Sequence, residues 1–369
     1  MVSNRDLLLG VERGIISQEQ LAQLVSIATE VPPTEDTPLD QEHDVELEAL
    51  EEAQDEAPRF IRSFGDLFIA IGTGFLGAGL MAAVSFMGNT TIAQLSALAA
   101  IWLAAEWLTG YLRISAPSIV LSVLFTWFAA NYTSVFLDLP SLGSFNTSAE
   151  FKALMTIGVT AMLASGLFYL RFRLPFSLAI FGLTAVCLLL AVIGTISSDF
   201  LLSNFRWIIG SGGLILFIIA MLFDFTDPMR TSRRSDCGFW LHLIAAPMLT
   251  HAVLWDSHPA ITSIKKVLGA TPASSSWVII ATFFVLFGII ALIINRRALL
   301  VSSLGYVGSV IAYGIWQLKL PEGAATSIAL LIIATLVLSF GVGWKPLRRL
   351  IFMAFPQGDY LDKLPPAHA

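Results

Sequence analysis

From Ser63 onward the chain alternates between apolar blocks about 20 residues long and short polar turns, and about 20 residues is the length that a bilayer core demands of a helix. About ten such blocks can be read, starting near Phe64, Thr91, Ser118, Phe151, Pro175, Asn204, Gly238, Ser276, Ala298 and Ala325. Upstream the pattern differs. Residues 1–29 predict two short amphipathic helices. One carries Leu7, Leu8, Leu9 and Val11 and stops at Gly14. The other starts at the capping sequence Ser17-x-x-Gln20 and carries Leu21, Leu24, Val25 and Ile27. Residues 30–58 hold four prolines and a run of acids, the composition of a solvated linker.

Composition agrees with a bilayer as solvent. Of 369 residues 56% are hydrophobic and 13% charged, and mean hydropathy is +0.77. A soluble domain is about a quarter charged. The net charge of −6 hides a division. Twelve of the 27 acids fall within residues 30–56, which contain no Lys or Arg, so the remainder of the chain is basic. The first thirty residues are polar and show no cleavable leader, which leaves the first apolar block as the expected insertion signal.

Charge also orients the spans. With ten helices and a cytoplasmic N-terminus, the inner segments hold Arg59, Arg62, Arg113, Arg171, Arg173, Arg230, Arg233, Arg234, Arg296, Arg297, Lys345, Arg348 and Arg349. The outer segments hold Lys152, Arg206, Lys265, Lys266 and Lys319. That asymmetry in alternate loops is what the positive-inside rule requires. The expected organisation is a cytoplasmic helical hairpin (1–29), an acidic linker (30–58), an all-α polytopic membrane bundle of about ten helices (59–344) and a cytoplasmic interfacial tail (345–369), with both termini inside. The arginine-bearing inner turns near 113, 171–173, 230–234 and 296–297 recur about every 60 residues, the period of two spans plus two turns. An even number of helices per repeat preserves orientation.

Candidate chemistry is sparse. Gly72-Thr-Gly74-Phe-Leu-Gly77 fits a dinucleotide fingerprint by letter, but it lies inside the first span. With Ala70, Ala78 and Ala82 it reads instead as a small-residue packing face. Glu106 is the one acid well inside an apolar block. It either lines a cavity with Trp102, Trp107 and Tyr111, or snorkels toward Arg113. Asn131 and Tyr132 are further polar groups in a span. His242 and His251 are nine residues apart, about 900° around a helix at roughly 100° per residue, so they face opposite ways and cannot share a metal ion. His242 is a candidate for substrate contact or proton relay with Asp236 or Cys237, or for a hydrogen bond between helices. Arg230, Arg233 and Arg234 suit anionic lipid or topology control, with Asp224, Asp227 and Asp236 as their expected ion-pair partners. No Walker A, GxSxG, HExxH, CxxC or EF-hand pattern is present, so no catalytic residue, metal or cofactor is expected.

Three stretches, GIISQEQLAQLVSIA (14–28), SDCGFWLHLIAAPMLTHAVLW (235–255) and KPLRRLIFMAF with the terminal DKLPPAHA, carry a resemblance. With the spans between them, the chain resembles bacterial membrane proteins grouped in domain-of-unknown-function families. The resemblance implies a bacterial inner-membrane location and carries over no reaction, ligand or catalytic residue. Two functions fit the sequence. A carrier of a small molecule or lipid would line a cavity with Glu106, Asn131, Arg206 and His242, with His251 a further substrate-contact candidate. A non-catalytic scaffold or accessory subunit would bind another membrane complex through residues 1–57. Membrane lipids are expected partners and nucleic acid is not. An enzyme is the least supported reading.

Overall fold

The computed structural model describes residues 63–254 apart from 89, 141, 142, 144–146, 228, 229 and 231, then 277–297 and 321–354, with isolated positions between 299 and 318. The chain divides into two units, Met1–Glu52 and Ala53–Ala369. The predicted hairpin and almost all of the linker lie outside the described residues, and all that follows belongs to the second unit.

Among the described residues all regular structure is helical. The elements are α1 (Phe64–Phe86), α2 (Thr91–Ala105, continued as a π-helical turn over Glu106–Tyr111), α3 (Ser115–Phe136), α4 (Ser148–Phe172) and α5 (Pro175–Ile196). They continue with α6 (Ser198–Thr226), α7 (Arg233–Leu254), α8 (Trp277–Ile293) and α9 (Glu322–Ala354). Eight of them, all but α8, are long and apolar enough to cross a membrane. The block expected from Ala298 falls where only isolated positions are described. The 344/345 boundary of the expected tail lies within α9, which continues through Pro346 to Ala354.

Local chemistry sets the helix starts. Oxygens of Ser63, Thr90 and Ser197 accept from the backbone N–H groups of Asp66, Ala93 and Phe200 at 3.2, 3.3 and 3.2 Å, supplying acceptors to orphan donors of the first turn. Thr147 and Glu150 form a reciprocal capping box on α4, and Pro175 opens α5 with its missing N–H where none is needed. Two starts lie well before the expected ones. α6 begins at Ser198, not near Asn204, so Arg206 lies within it. α7 begins at Arg233, not near Gly238. Arg233–Asp236 is its first turn rather than part of a loop.

Several turns between helices have a different signature. Arg113, Arg173, Arg230 and Asn295 adopt left-handed backbone, with φ of 55, 52, 56 and 51°. Such a residue turns the chain out of a helix, a place where glycine is usual. On one side of the bundle Ile101, Leu121, Phe128 and Phe168 are completely buried between α2, α3 and α4. A second apolar cluster joins α5, α6 and α7 through Val186, Leu216, Leu241 and Met248. A third joins α7, α8 and α9 through Ala246, Phe287, Leu292 and Trp344. The small-residue face of α1 is used only in part. A Cβ on Gly77 would come within 2.6 Å of Leu124, so α1 meets α3 there, while Gly72 and Gly74 have nothing within 4 Å.

Candidate functional site

The densest polar cluster in the apolar bundle gathers on Asp224, in the last turn of α6. Arg296, just beyond the left-handed Asn295 that ends α8, reaches back and grips the carboxylate with two nitrogens. Nε donates to Oδ2 at 3.1 Å and Nη2 donates to Oδ1. The same Nη2 donates to the backbone carbonyl and the hydroxyl of Ser235 on α7, both at 3.1 Å. From about two turns further along α7, His242 places Nε2 3.0 Å from Asp224 Oδ2. Three elements distant in sequence thus converge on one carboxylate. His242 is fully buried, Arg296 is 2% exposed and Asp224 is 7% exposed.

Gly238 makes the approach possible. A Cβ there would sit 2.6 Å from Asp224 Oδ1 and 3.3 Å from both the Ala220 carbonyl and Arg296 Nη2. Only a residue without a side chain admits the carboxylate and the guanidinium between α6 and α7. An ionised carboxylate only accepts hydrogen bonds, so His242 donates through Nε2. In the neutral imidazole the remaining lone pair is on Nδ1, which is buried and has no hydrogen-bond partner among the described residues. The ring packs edge-on against Phe217, centroids 5.1 Å apart.

Two more arginines serve the end of α8. Arg230 Nη2 donates to the Ile294 carbonyl at 2.7 Å and Arg348 Nε to the Leu292 carbonyl at 3.1 Å. Carbonyls at a helix C-terminus lack intrahelical donors, and the dipole there favours cations. Trp344 Nε1 donates to Asn295 Oδ1 at 2.8 Å, and Arg297 lies over the Trp344 ring at 5.4 Å. The inner end of α9 is thereby fastened to the turn that supplies Arg296.

The other sequence candidates disperse. Glu106 pairs with Arg171 of α4, through Nε–Oε1 at 3.0 Å and Nη2–Oε2 at 2.6 Å, and not with Arg113 as snorkelling along its own helix would require. A π-helical turn adds a residue to the backbone and re-aims what it carries. Gly110 leaves room for the carboxylate, since a Cβ there would stand 3.3 Å from Glu106 Oε2. This pair is open to the surroundings, with side-chain exposures of 33% and 52%. Asn131 Nδ2 donates to the Trp127 carbonyl of its own helix at 3.3 Å. Arg206 lies 4.7 Å over the Trp207 ring and His251 lies 6.5 Å from the Phe205 ring. Arg233 and Arg234 are exposed at the start of α7, whereas Arg230 is buried.

Sequence reasoning singled out His242, and of its two readings the structure shows the hydrogen bond between helices, with partners other than the two named for a relay. Asp236 and Cys237 are its neighbours in sequence; Asp224 and Arg296 are its neighbours in space. Asp224 was expected to pair with the arginines of its own loop, and it is held instead by Arg296, 72 positions on. No spacing rule links residues so far apart. No protein-family model, curated protein or solved structure matches the chain.

Proposed function

We propose that this chain is a multi-pass protein of a bacterial inner membrane, with ten spans and both ends in the cytosol. In this reading it works as a non-catalytic scaffold or accessory subunit for another membrane complex, engaged through residues 1–57. The ten-span reading draws support from the eight long apolar helices, from the apolar α8 with 17 residues, and from the arginines gathered at alternate turns.

The scaffold reading rests on one observation. Two ionisable groups within the spans are taken up by partners on neighbouring elements, Glu106 by Arg171 and His242 by Asp224 with Arg296. A carrier instead needs its polar groups turned toward a shared path. Carriage of a small molecule or lipid remains the second reading, favoured by the partnerless Nδ1 of His242 in a fully buried ring. Extraction from native membranes in a gentle detergent, followed by mass spectrometry, separates the two. A stoichiometric protein partner that is lost on deleting residues 1–57 supports the scaffold. A lone protein retaining one small molecule or lipid, released by His242→Phe, overturns it in favour of the carrier.

A further inference from the structure

Helices α1–α4 and α5–α8 are alike in ways that two runs of four spans need not be. α3 and α7 have the same length, 22 residues. Each follows a left-handed arginine, Arg113 or Arg230, and these lie 117 positions apart (230 less 113). At that same spacing, Ser118 matches Ser235, Leu124 matches Leu241, Ala129 matches Ala246 and Thr133 matches Thr250. All eight residues are buried.

The matches share geometry as well as identity. Thr133 donates to the Ala129 carbonyl at 3.2 Å and Thr250 to the Ala246 carbonyl at 2.8 Å. A glycine of the first helix faces the matched leucine of the third in each set. A Cβ on Gly77 would lie 2.6 Å from Leu124, and one on Gly182 would lie 3.6 Å from Leu241. Each set also carries an acid near the inner end of its second helix, Glu106 or Asp224. In both, that acid is gripped by Nε and Nη2 of an arginine from the end of the fourth helix or the turn after it, Arg171 or Arg296.

The same spacing pairs His242 with Phe125. In the first set this position is filled by an aromatic nest. Phe125 lies 5.2 Å from Trp102 and 5.9 Å from Phe168, and Phe168 lies 4.6 Å from Phe172. One packing problem therefore has two solutions in this chain, an apolar one and a charged one.

We infer that residues 64–296 are two like-oriented copies of one four-helix unit with an acid–arginine pair in each, and that His242, standing where the first copy has Phe125, is an addition to the second copy that its packing does not require. Removing one partner of the buried Asp224–Arg296 pair strands a charge. Replacing His242 with an aromatic leaves that pair in place. The imidazole is kept for a purpose other than holding helices together, which marks it as the functional group of the second copy.

The experiment uses full-length protein purified in mild detergent, with the unfolding midpoint followed by tryptophan fluorescence. Asp224→Ala and Arg296→Leu are each expected to lower the midpoint by more than about 5 °C. His242→Phe, which imports the first copy's aromatic and leaves the Asp224–Arg296 pair in place, is expected to stay within about 3 °C of the parent. Phe125→His, which places an imidazole in the aromatic nest, is expected to lower the midpoint. A His242→Phe protein that loses more than half of what Asp224→Ala loses overturns the inference, because the imidazole would then be a packing requirement. Asp224→Ala and Arg296→Leu proteins whose midpoints are unmoved overturn it equally, because the shared pair would then not hold the unit together.

Discussion

Asp224→Asn and Glu106→Gln make a matched comparison. Each removes one negative charge, keeps the side-chain shape and leaves an arginine that had held the carboxylate with two nitrogens. What differs is the surroundings. Arg296 is 2% exposed and its carboxylate partner 7% exposed, so the change strands a guanidinium in apolar surroundings and also removes the acceptor of His242 Nε2. Breaking a buried pair from one side costs about 3–5 kcal/mol. The new amide retains an acceptor oxygen, so the lower end, about 3 kcal/mol, is expected. Arg171 and Glu106 have side-chain exposures of 52% and 33%. Water and headgroups take over the released arginine, and the loss is expected to be at most about 1 kcal/mol. Thermal unfolding of both variants in the same detergent, at low and at about 1 M NaCl, reads the difference. Salt that screens within roughly 3 Å should erase the small Glu106→Gln effect and leave the Asp224→Asn effect standing. Equal shifts, or a salt-sensitive Asp224→Asn, would refute the reasoning that burial sets the strength of these two pairs.

Gly238→Ala should destabilise by about 1–3 kcal/mol, since its Cβ would meet Asp224 Oδ1 at 2.6 Å, and the midpoint of the purified variant checks it. Gly72→Ala, with nothing within 4 Å, should instead leave stability unchanged or raise it by up to about 1 kcal/mol. Thr147→Ala removes one half of the capping box on α4 and should cost about 1 kcal/mol, read the same way. Trp344→Phe loses the hydrogen bond to Asn295, and hydrogen exchange should rise at the inner end of α9 ahead of any change at α3.

How much of this was legible in sequence depended on the range of the interaction. Helix starts could be read where a short polar side chain caps its own turn, as at Thr90 or Pro175. They were placed too late at α6 and α7 because hydropathy is blind to polar residues that are helical, such as Ser198–Arg206 and Arg233–Asp236. His242 stood out as a rare imidazole in an apolar stretch. Its partner Asp224 looked like one of several acids in an inner turn. Arg296 looked like one of many topology-setting arginines. Nothing local separates an arginine that faces headgroups, such as Arg233, from one that folds back over a carboxylate 72 positions away. The likeness of the two halves was hidden for a related reason. A period near 60 follows from any run of hairpins, and the longer repeat emerges only when buried positions are compared.

The left-handed arginines set two demands against each other. Arg113, Arg173 and Arg230 occupy backbone that suits glycine, each at a cost of about 1–3 kcal/mol. Under the proposed topology, glycine would relax the bend but remove a cation from the cytosolic edge during insertion. Arg113→Gly should then give molecules that resist heat better once made, yet reach the correct orientation less often. In that reading the bends answer to biogenesis as much as to the finished state.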